Sequence, residues 1–168
     1  MADFFFFIYK KMSFKLSASC ERREVRKMQT SFDSGFVDPN LTIILAIPSI
    51  GNCGQLGLDL ILTTLTESSS VVKLGAIESD CLIPMTGREQ YTITSPPFLC
   101  MPLEVYKCVN KPFLFVQQRS QCFPGRSEKF ANDLIKLFRT WEVQRVIIIC
   151  GASLEGVADE ALNRSVTK

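Results

Sequence analysis

The sequence predicts a layered α/β domain, in which helices flank a mostly parallel central sheet and a β-hairpin is added. Three observations support this prediction: a continuous apolar strand at 41–47, a glycine-rich turn leading into an apolar helix at 55–66, and a second strand at 71–77. Continuous apolar runs with β-branched residues are typical of strands buried on both faces, as in parallel sheets. A strand, a helix and a strand in succession form a βαβ unit. We therefore expect the strands at 41–47 and 71–77 to be parallel, with a right-handed crossover.

The turn between the first strand and the helix is marked by proline and glycine. Pro48 has no N–H to give to a sheet ladder and ends the strand, while Gly51 and Gly54 allow backbone angles that other residues resist. Residues 55–65 are mostly leucine and isoleucine, and Asp59 is their only charge. A helix that is apolar nearly all round is predicted to be buried on several sides.

The second half of the chain adds a hairpin and an amphipathic helix. Strands at 103–109 and 112–118 are separated by a tight polar break, which predicts a β-hairpin. The next helix spans 127–141, with Ser127 as its predicted N-cap. Its apolar residues fall on a single face: Phe130, Leu134, Leu137, Phe138 and Trp141. A short helix is also possible at 155–163.

Three strands are expected to form the centre of the sheet. The run at 145–150, RVIIIC, is the last apolar strand. Buried strands of this kind belong in the interior of a sheet. We therefore predict that the strands at 41–47, 71–77 and 145–150 are parallel and central.

Length and charge indicate one domain with an extension. The chain has 168 residues, 46% hydrophobic and 21% charged, which suits a single globular domain. Residues 1–30 hold seven Lys/Arg and three Asp/Glu, a charge of +4, and the remaining chain holds twelve and fourteen, a charge of −2. We predict a disordered, non-domain extension at 1–30 and a single α/β domain at 31–168. The acidic balance of that domain argues against a nucleic-acid binder, and no apolar run is long enough to span a membrane.

The cysteines indicate a reducing compartment, and the absence of histidine argues against a hydrolase or a zinc enzyme. The seven cysteines are odd in number and form no CxxC pair; Cys53, Cys108 and Cys150 look like small buried hydrophobes of a reducing compartment. The chain has no histidine, which removes Ser-His-Asp and Cys-His catalysis and the commonest metal ligand. We predict no catalytic residues, no metal and no cofactor.

The turn after the first strand leaves an alternative open. Gly51, Gly54 and Gly57 have the spacing GxxGxxG, close to the dinucleotide fingerprint, and Glu78 or Asp80 follows the second strand where a ribose-binding acid would lie. The alternative function is thus a small Rossmann-like nucleotide-binding protein or oxidoreductase. The other interpretation is a tight βα turn in which Gly57 lets the helix pack close to the sheet.

Asp59 is an unusual residue for an apolar helix. A buried carboxylate needs partners. Such a carboxylate more often pairs with a backbone N–H or a lysine of a neighbouring element than takes part in a reaction. Arg119, directly after the strand at 112–118, is a candidate partner.

Four segments resemble a known family. They are PSIGNCGQLGLDLILTTL, LGAIESDCLIPMTG, LEVYKCVNKPFLFVQQRS and FANDLIKLFRTWEVQRVIII, in this order between Gly35 and Ile149. This combination resembles the proteasome assembly chaperone 2 family. The resemblance implies a non-enzymatic α/β protein of the cytoplasm and nucleus that pairs with a related chaperone as a heterodimer. It also implies that the heterodimer escorts the α-subunit ring of the proteasome core particle and prevents wrong ring pairing.

The sequence departs from that family at both ends. Residues 1–30 match nothing in it, and after Ile149 the chain reads CGASLEGVADEALNRSVTK, whereas the family continues and ends in a hydrophobic-Tyr-x tail that docks on the ring. We expect a domain truncated at its C-terminal end, with weakened ring docking and preserved pairing.

An apolar surface for a partner is expected in the long connection at 78–102. A connection of this length usually has a functional reason. Its apolar candidates for contact are Leu82, Ile83, Met85, Phe98 and Leu99.

Overall fold

The helices predicted at 55–66 and 127–141 and the five predicted strands are present in the structure. The computed structural model of the protein describes residues 28–31, 40–68, 70–88 and 99–151. Its elements in chain order are β1 (Gln29–Thr30), β2 (Thr42–Ala46), α1 (Cys53–Glu67), β3 (Val71–Glu78), β4 (Gly87–Arg88), β5 (Leu99–Cys100), β6 (Leu103–Cys108), β7 (Phe113–Gln118), α2 (Ser127–Thr140) and β8 (Arg145–Ile149). A short 3-10 helix, Ile50–Asn52, precedes α1. The predicted α/β class is confirmed.

Within the described residues, the main sheet has six strands in the order β1-β3-β6-β7-β2-β8. β2 is parallel to both of its neighbours, β7 and β8, whereas β6 is antiparallel to β7 and β3, and β1 is antiparallel to β3. Four of the six strands (β3, β7, β2 and β8) therefore run in one direction, which is the mostly parallel sheet of the prediction. β6 and β7 form the predicted hairpin, and β4 and β5 form a separate two-stranded sheet.

The positions of β3 and β8 correct the prediction. β3 runs in the same direction as β2 but lies three positions away, because the β6–β7 hairpin is inserted between them. β8 is the outermost strand of the described sheet, so of the three strands predicted to be central only β2 has parallel neighbours on both sides. A hydrophobic run reports how deeply a strand is buried, but it does not report which strand lies beside it.

The two helices pack on opposite faces of the sheet. Leu58 and Leu62 of α1 share one core cluster with Tyr106 and Phe115. The other cluster includes Phe130, Leu134, Phe138 and Trp141 with Ile43, Leu45, Val105 and Val116. Neighbouring residues of a strand point to opposite faces, so Val105 and Tyr106 of β6 contact different helices. The predicted apolar face of α2 is thus confirmed. Ser127 is the first residue of α2 rather than its N-cap, a place that Arg126 takes without a side-chain capping bond.

The burial of α1 also differs from the prediction. Its buried residues are Gly54, Leu58 and Leu62, which lie on one side. Leu56 and Leu60 on the other side, and Ile61 at the flank of the buried side, are exposed to solvent. The apolar sequence of α1 therefore does not reflect burial on several sides within the described structure.

The predicted extension at 1–30 meets the sheet at its last residues. Gln29 and Thr30 form β1, which pairs with Glu78 and Ile77 of β3, and Met28 packs against the α2 core. The sheet therefore begins two residues before the predicted domain boundary. Residues 1–27 and the possible helix at 155–163 lie outside the described residues.

No cysteine among the described residues forms a disulfide. Cys81, Cys100 and Cys108 are buried, and Cys53 and Cys150 are half-buried. Buried cysteines outside disulfides behave as small hydrophobes. This prediction is confirmed for Cys108, whereas Cys53 and Cys150 are only partly buried. Neither described helix is long and apolar enough to cross a membrane.

Candidate functional site

The glycine-rich turn between β2 and α1 is held against the end of β8. Gly51 (φ 68) and Asn52 (φ 52) take left-handed backbone angles, which these two residue types tolerate better than most. The Gly151 N–H donates a hydrogen bond to Ser49 Oγ at 2.7 Å, and the Ile47 N–H donates to the Ile149 carbonyl at 3.3 Å. These bonds join the turn to the end of the sheet.

The two glycines of α1 have different surroundings. A Cβ at Gly54 would collide with the carbonyl oxygen of Ile149 and lie 3.1 Å from the carbonyl oxygen of Ile47. A Cβ at Gly57 would meet nothing within 4 Å. Gly54 is therefore the residue that lets α1 approach the sheet, and the prediction that Gly57 does so is wrong.

Glu78 and Asp80, the acidic residues considered for binding a ribose, do not lie beside this turn. In a dinucleotide-binding fold the acidic residue follows the strand next to the first one. Here β3, which ends at Glu78, is separated from β2 by β6 and β7. Asp80 instead pairs with Lys129 of α2, at 2.7 Å. The GxxGxxG spacing thus forms a βα turn without the strand neighbours of a Rossmann site.

A buried charge network lies on the α1 side of the sheet, and Glu104 of β6 is its centre. The Glu104 side chain is 0% exposed. Its Oε1 accepts hydrogen bonds from Lys73 Nζ at 2.7 Å and the Met101 N–H at 3.2 Å. Its Oε2 accepts from Arg119 Nε at 2.9 Å and the Tyr106 hydroxyl at 3.1 Å. Four donors thus satisfy a carboxylate that would otherwise be costly to bury.

The same arginine links this network to Asp59 of α1. Arg119 Nη2 lies 3.2 Å from Asp59 Oδ1, which confirms the pairing proposed from the sequence. Burial raises the pKa of Asp59, and the nearby Arg119 only partly opposes this shift. Burial lowers the pKa of Arg119, but its hydrogen bond to Glu104 and the two carboxylate charges raise that pKa above its ordinary value. Two acids and two bases therefore balance, and the network joins α1 to β3, β6 and the end of β7.

Glutamine side chains complete the contact between α1 and β7. Gln55 Nε2 donates to the carbonyls of Gln118 and Arg119 at 2.9 and 3.0 Å. Gln117 Nε2 donates to Asp59 Oδ1 at 3.1 Å. Gln55 and Asp59, which both belong to the segment that resembles the chaperone family, therefore fix the position of the helix.

The Asp-Cys-Leu segment after β3 binds the loop to α2. Asp80 Oδ1 accepts from Lys129 Nζ at 2.7 Å, and this hydrogen bond is the main reason why the pKa of Asp80 is lowered. Burial raises the pKa of the Cys81 thiol, which keeps it protonated. Leu82 is buried in the α2 core and bridges to Cys122. Leu82 is therefore a core residue and not the partner contact predicted.

The loops beyond this segment expose apolar side chains. Ile83, Met85, Leu99 and Met101 are all exposed, and Leu99 is 65% exposed. Leu99 belongs to the small β4–β5 sheet, where it pairs with Arg88, and the other three lie just before β4 or just after β5. Phe98 lies outside the described residues. Three of the predicted contact residues, Ile83, Met85 and Leu99, are thus available at the surface.

A groove of about 630 Å³ lies between α2 and β8. Ile135 of α2 and Val146 and Ile148 of β8 contribute apolar side chains to it, and Glu128 and Arg139 come from the two ends of α2. Within the described ranges no three Cys, Asp or Glu side chains are grouped as metal ligands. The chemical features of the described chain are thus internal ion pairs and exposed apolar surfaces.

Comparison with known proteins identifies a family and several relatives. The PAC2 family model matches residues 43–165. The chain is 33% identical over 110 residues to "Proteasome assembly chaperone 2" of Homo sapiens, which covers 64% of this chain and 40% of the human protein. The same identity and coverage of this chain are found with the Xenopus laevis protein of that name, and the Mus musculus protein is 31% identical over 112 residues, 66% of this chain.

These matches cover much of this chain but a smaller part of its relatives. The chain spans about two fifths of the length of the three proteins named above: 40%, 41% and 41%. The family match includes β2 to β8 and both helices, well over half of the chain. The chain belongs to the PAC2 family.

Proposed function

We propose that this protein is a chaperone of proteasome assembly that pairs with a related chaperone and escorts the α-subunit ring of the core particle. Membership of the PAC2 family, together with relatives named proteasome assembly chaperone 2, is the observation that carries the proposal. As part of the same proposal, the protein acts without catalysis, in the cytoplasm and nucleus.

The described side chains support binding rather than catalysis. Glu104, which is fully buried, and Asp59 are both engaged with Arg119. The chain has no histidine to act as a general base near neutral pH. A function that depends on surface complementarity agrees with these features.

The exposed loop is our candidate for contact with a partner protein. Met85 precedes β4 and Leu99 belongs to β5; both are exposed, and neither carries a charge. Protein interfaces are enriched in methionine and depleted of charge at their centre. We therefore assign the contact to the surface formed by Ile83, Met85, Leu99 and Met101.

Co-expression tests this proposal. The chain is produced with the related chaperone and the α subunits of its own organism, and co-elution is measured by pull-down and size-exclusion chromatography. The double variant Met85→Lys/Leu99→Lys should weaken the affinity for the co-eluting partner at least about tenfold, because two charges replace apolar contacts. Val109→Lys is the matched control, since Val109 is also exposed but lies at the other end of β6.

Two results would contradict the proposal. One is a chain that elutes alone in the presence of all these partners. The other is thermal stabilisation by a dinucleotide that increases with concentration, as expected for a ligand of the native state. That second result would favour the nucleotide-binding alternative.

A further inference from the structure

Residues 99–101 form a contact segment that carries two of the exposed apolar side chains assigned to the partner. Leu99 is 65% exposed and Met101 is 38% exposed. Among the described residues, β4 and β5 have two residues each, and a two-stranded sheet is marginally stable by itself in water. The position of the contact segment therefore depends on its contacts with the rest of the domain.

The buried charge network supplies such contacts to the backbone of the segment. Lys73 Nζ donates a hydrogen bond to the Leu99 carbonyl at 3.4 Å and another to Glu104 Oε1 at 2.7 Å. The same oxygen of Glu104 accepts from the Met101 N–H at 3.2 Å. The backbone of the contact segment is thus bound to Lys73 of β3 and Glu104 of β6.

The two carboxylate oxygens of Glu104 serve different parts of the fold. Its Oε1 is shared by Lys73 and the contact segment. Its Oε2 accepts from Arg119 and Tyr106, and Arg119 also pairs with Asp59 of α1. The network therefore has one side that holds the contact segment and another that holds α1, so that each side can be weakened by its own substitution.

We propose that Lys73 and Glu104 are positioning residues for partner binding, which hold Leu99 and Met101 in the arrangement that the partner contacts. This inference rests on the proposed function, because it concerns the same surface. A segment that is already ordered loses less conformational entropy when it binds. Fixing the backbone of one residue corresponds to roughly a tenfold change in affinity. Loss of the Lys73 bonds should therefore weaken binding by roughly tenfold, although no contact residue is changed.

Lys73→Met is the variant that tests this role. It removes the ammonium group and keeps a side chain of similar shape. The Lys73 side chain is 25% exposed, and Glu104 retains Arg119 as a cationic partner, so the variant should fold. Asp59→Asn is the matched control, because it removes a charge of similar exposure, 24%, from the side of the network that holds α1.

Two measurements on the full 168-residue chain carry the test. Hydrogen–deuterium exchange, followed by mass spectrometry of a peptide that covers residues 99–101, reports how firmly the segment is held. Lys73→Met should accelerate exchange there by roughly tenfold, and Asp59→Asn should not. Titration with the related chaperone of the same organism should show the same pattern in affinity, with roughly tenfold weaker binding for Lys73→Met alone.

The outcomes separate the positioning role from the proposed function. The positioning role alone is overturned if Lys73→Met binds the related chaperone as tightly as the unchanged chain, or if exchange at residues 99–101 stays the same. Equal weakening of binding by Lys73→Met and Asp59→Asn overturns it too, because the network would then support the fold in general. An unchanged chain that does not bind the related chaperone overturns the proposed function, together with the role that rests on it.

Discussion

The two glycines of α1 should respond to the same substitution with opposite signs. Gly54 and Gly57 lie one turn apart in one helix, and neither has a positive φ. In Gly54→Ala the new methyl group collides with the Ile149 carbonyl, and the contact at 3.1 Å with Ile47 leaves it no room to move away. In Gly57→Ala the methyl group enters open space.

The magnitudes follow from crowding in one case and backbone entropy in the other. Forcing a methyl group against backbone atoms should cost about 2–3 kcal/mol of the free energy of unfolding. Replacing an unconstrained helical glycine by alanine should stabilise the fold by about 0.5–1 kcal/mol. In a protein of this size each kcal/mol changes the melting temperature by roughly 2–4 °C. Gly54→Ala should thus lower it by roughly 4–12 °C and Gly57→Ala should raise it by roughly 1–4 °C.

Thermal and urea unfolding of the unchanged chain and both variants would measure these effects. If both variants shift the melting temperature in the same direction, or if Gly54→Ala is neutral, the close approach of α1 to β8 is not as described.

Three further predictions concern the charge clusters and the α2 core. Glu104→Gln should destabilise the fold by about 3 kcal/mol, because two cations lose a fully buried partner. The control, Glu128→Gln at an exposed position, should change the free energy of unfolding in urea by less than about 0.5 kcal/mol. Equal effects of the two variants would argue against the network. The folded-state pKa of Asp80 lies below the 3.8 of an unperturbed carboxyl, so its carboxylate stabilises the fold above pH 3.8 and this contribution is lost as the pH falls through the folded pKa. Asp80→Asn should therefore lower stability at neutral pH, and the difference from the unchanged chain, followed by urea unfolding, should shrink in acid; a pH-independent difference would contradict the ion pair with Lys129. Leu134→Ala should cost about 2–5 kcal/mol in the same assay, because the buried side chain leaves a cavity under α2, and a loss below about 1 kcal/mol would contradict its place in the core.

Local sequence patterns predicted the elements because their causes are local. Pro48 ends β2 since it cannot donate to the ladder, and the single apolar face from Phe130 to Trp141 is visible in the spacing of α2. The pairing of Asp59 with Arg119 was also accessible, because an isolated carboxylate in an apolar helix needs a partner. Glu104 was missed, although the strand alternation places it on the same face as Tyr106 and Cys108, which are both buried. That shared face was the feature of the sequence from which the burial of Glu104 could have been predicted.

The sequence by itself determined the α/β class, the bounds of the main strands and helices, and the family resemblance that the family match confirms. Only the tertiary structure decided that the β6–β7 hairpin separates β2 from β3, that β8 is the outer strand, and that α1 leaves one apolar face exposed. It also decided that Gly54 rather than Gly57 allows close packing. The physical reason is that periodicity encodes which side of an element avoids water. The neighbour that covers that side is chosen by contacts between residues far apart in the chain.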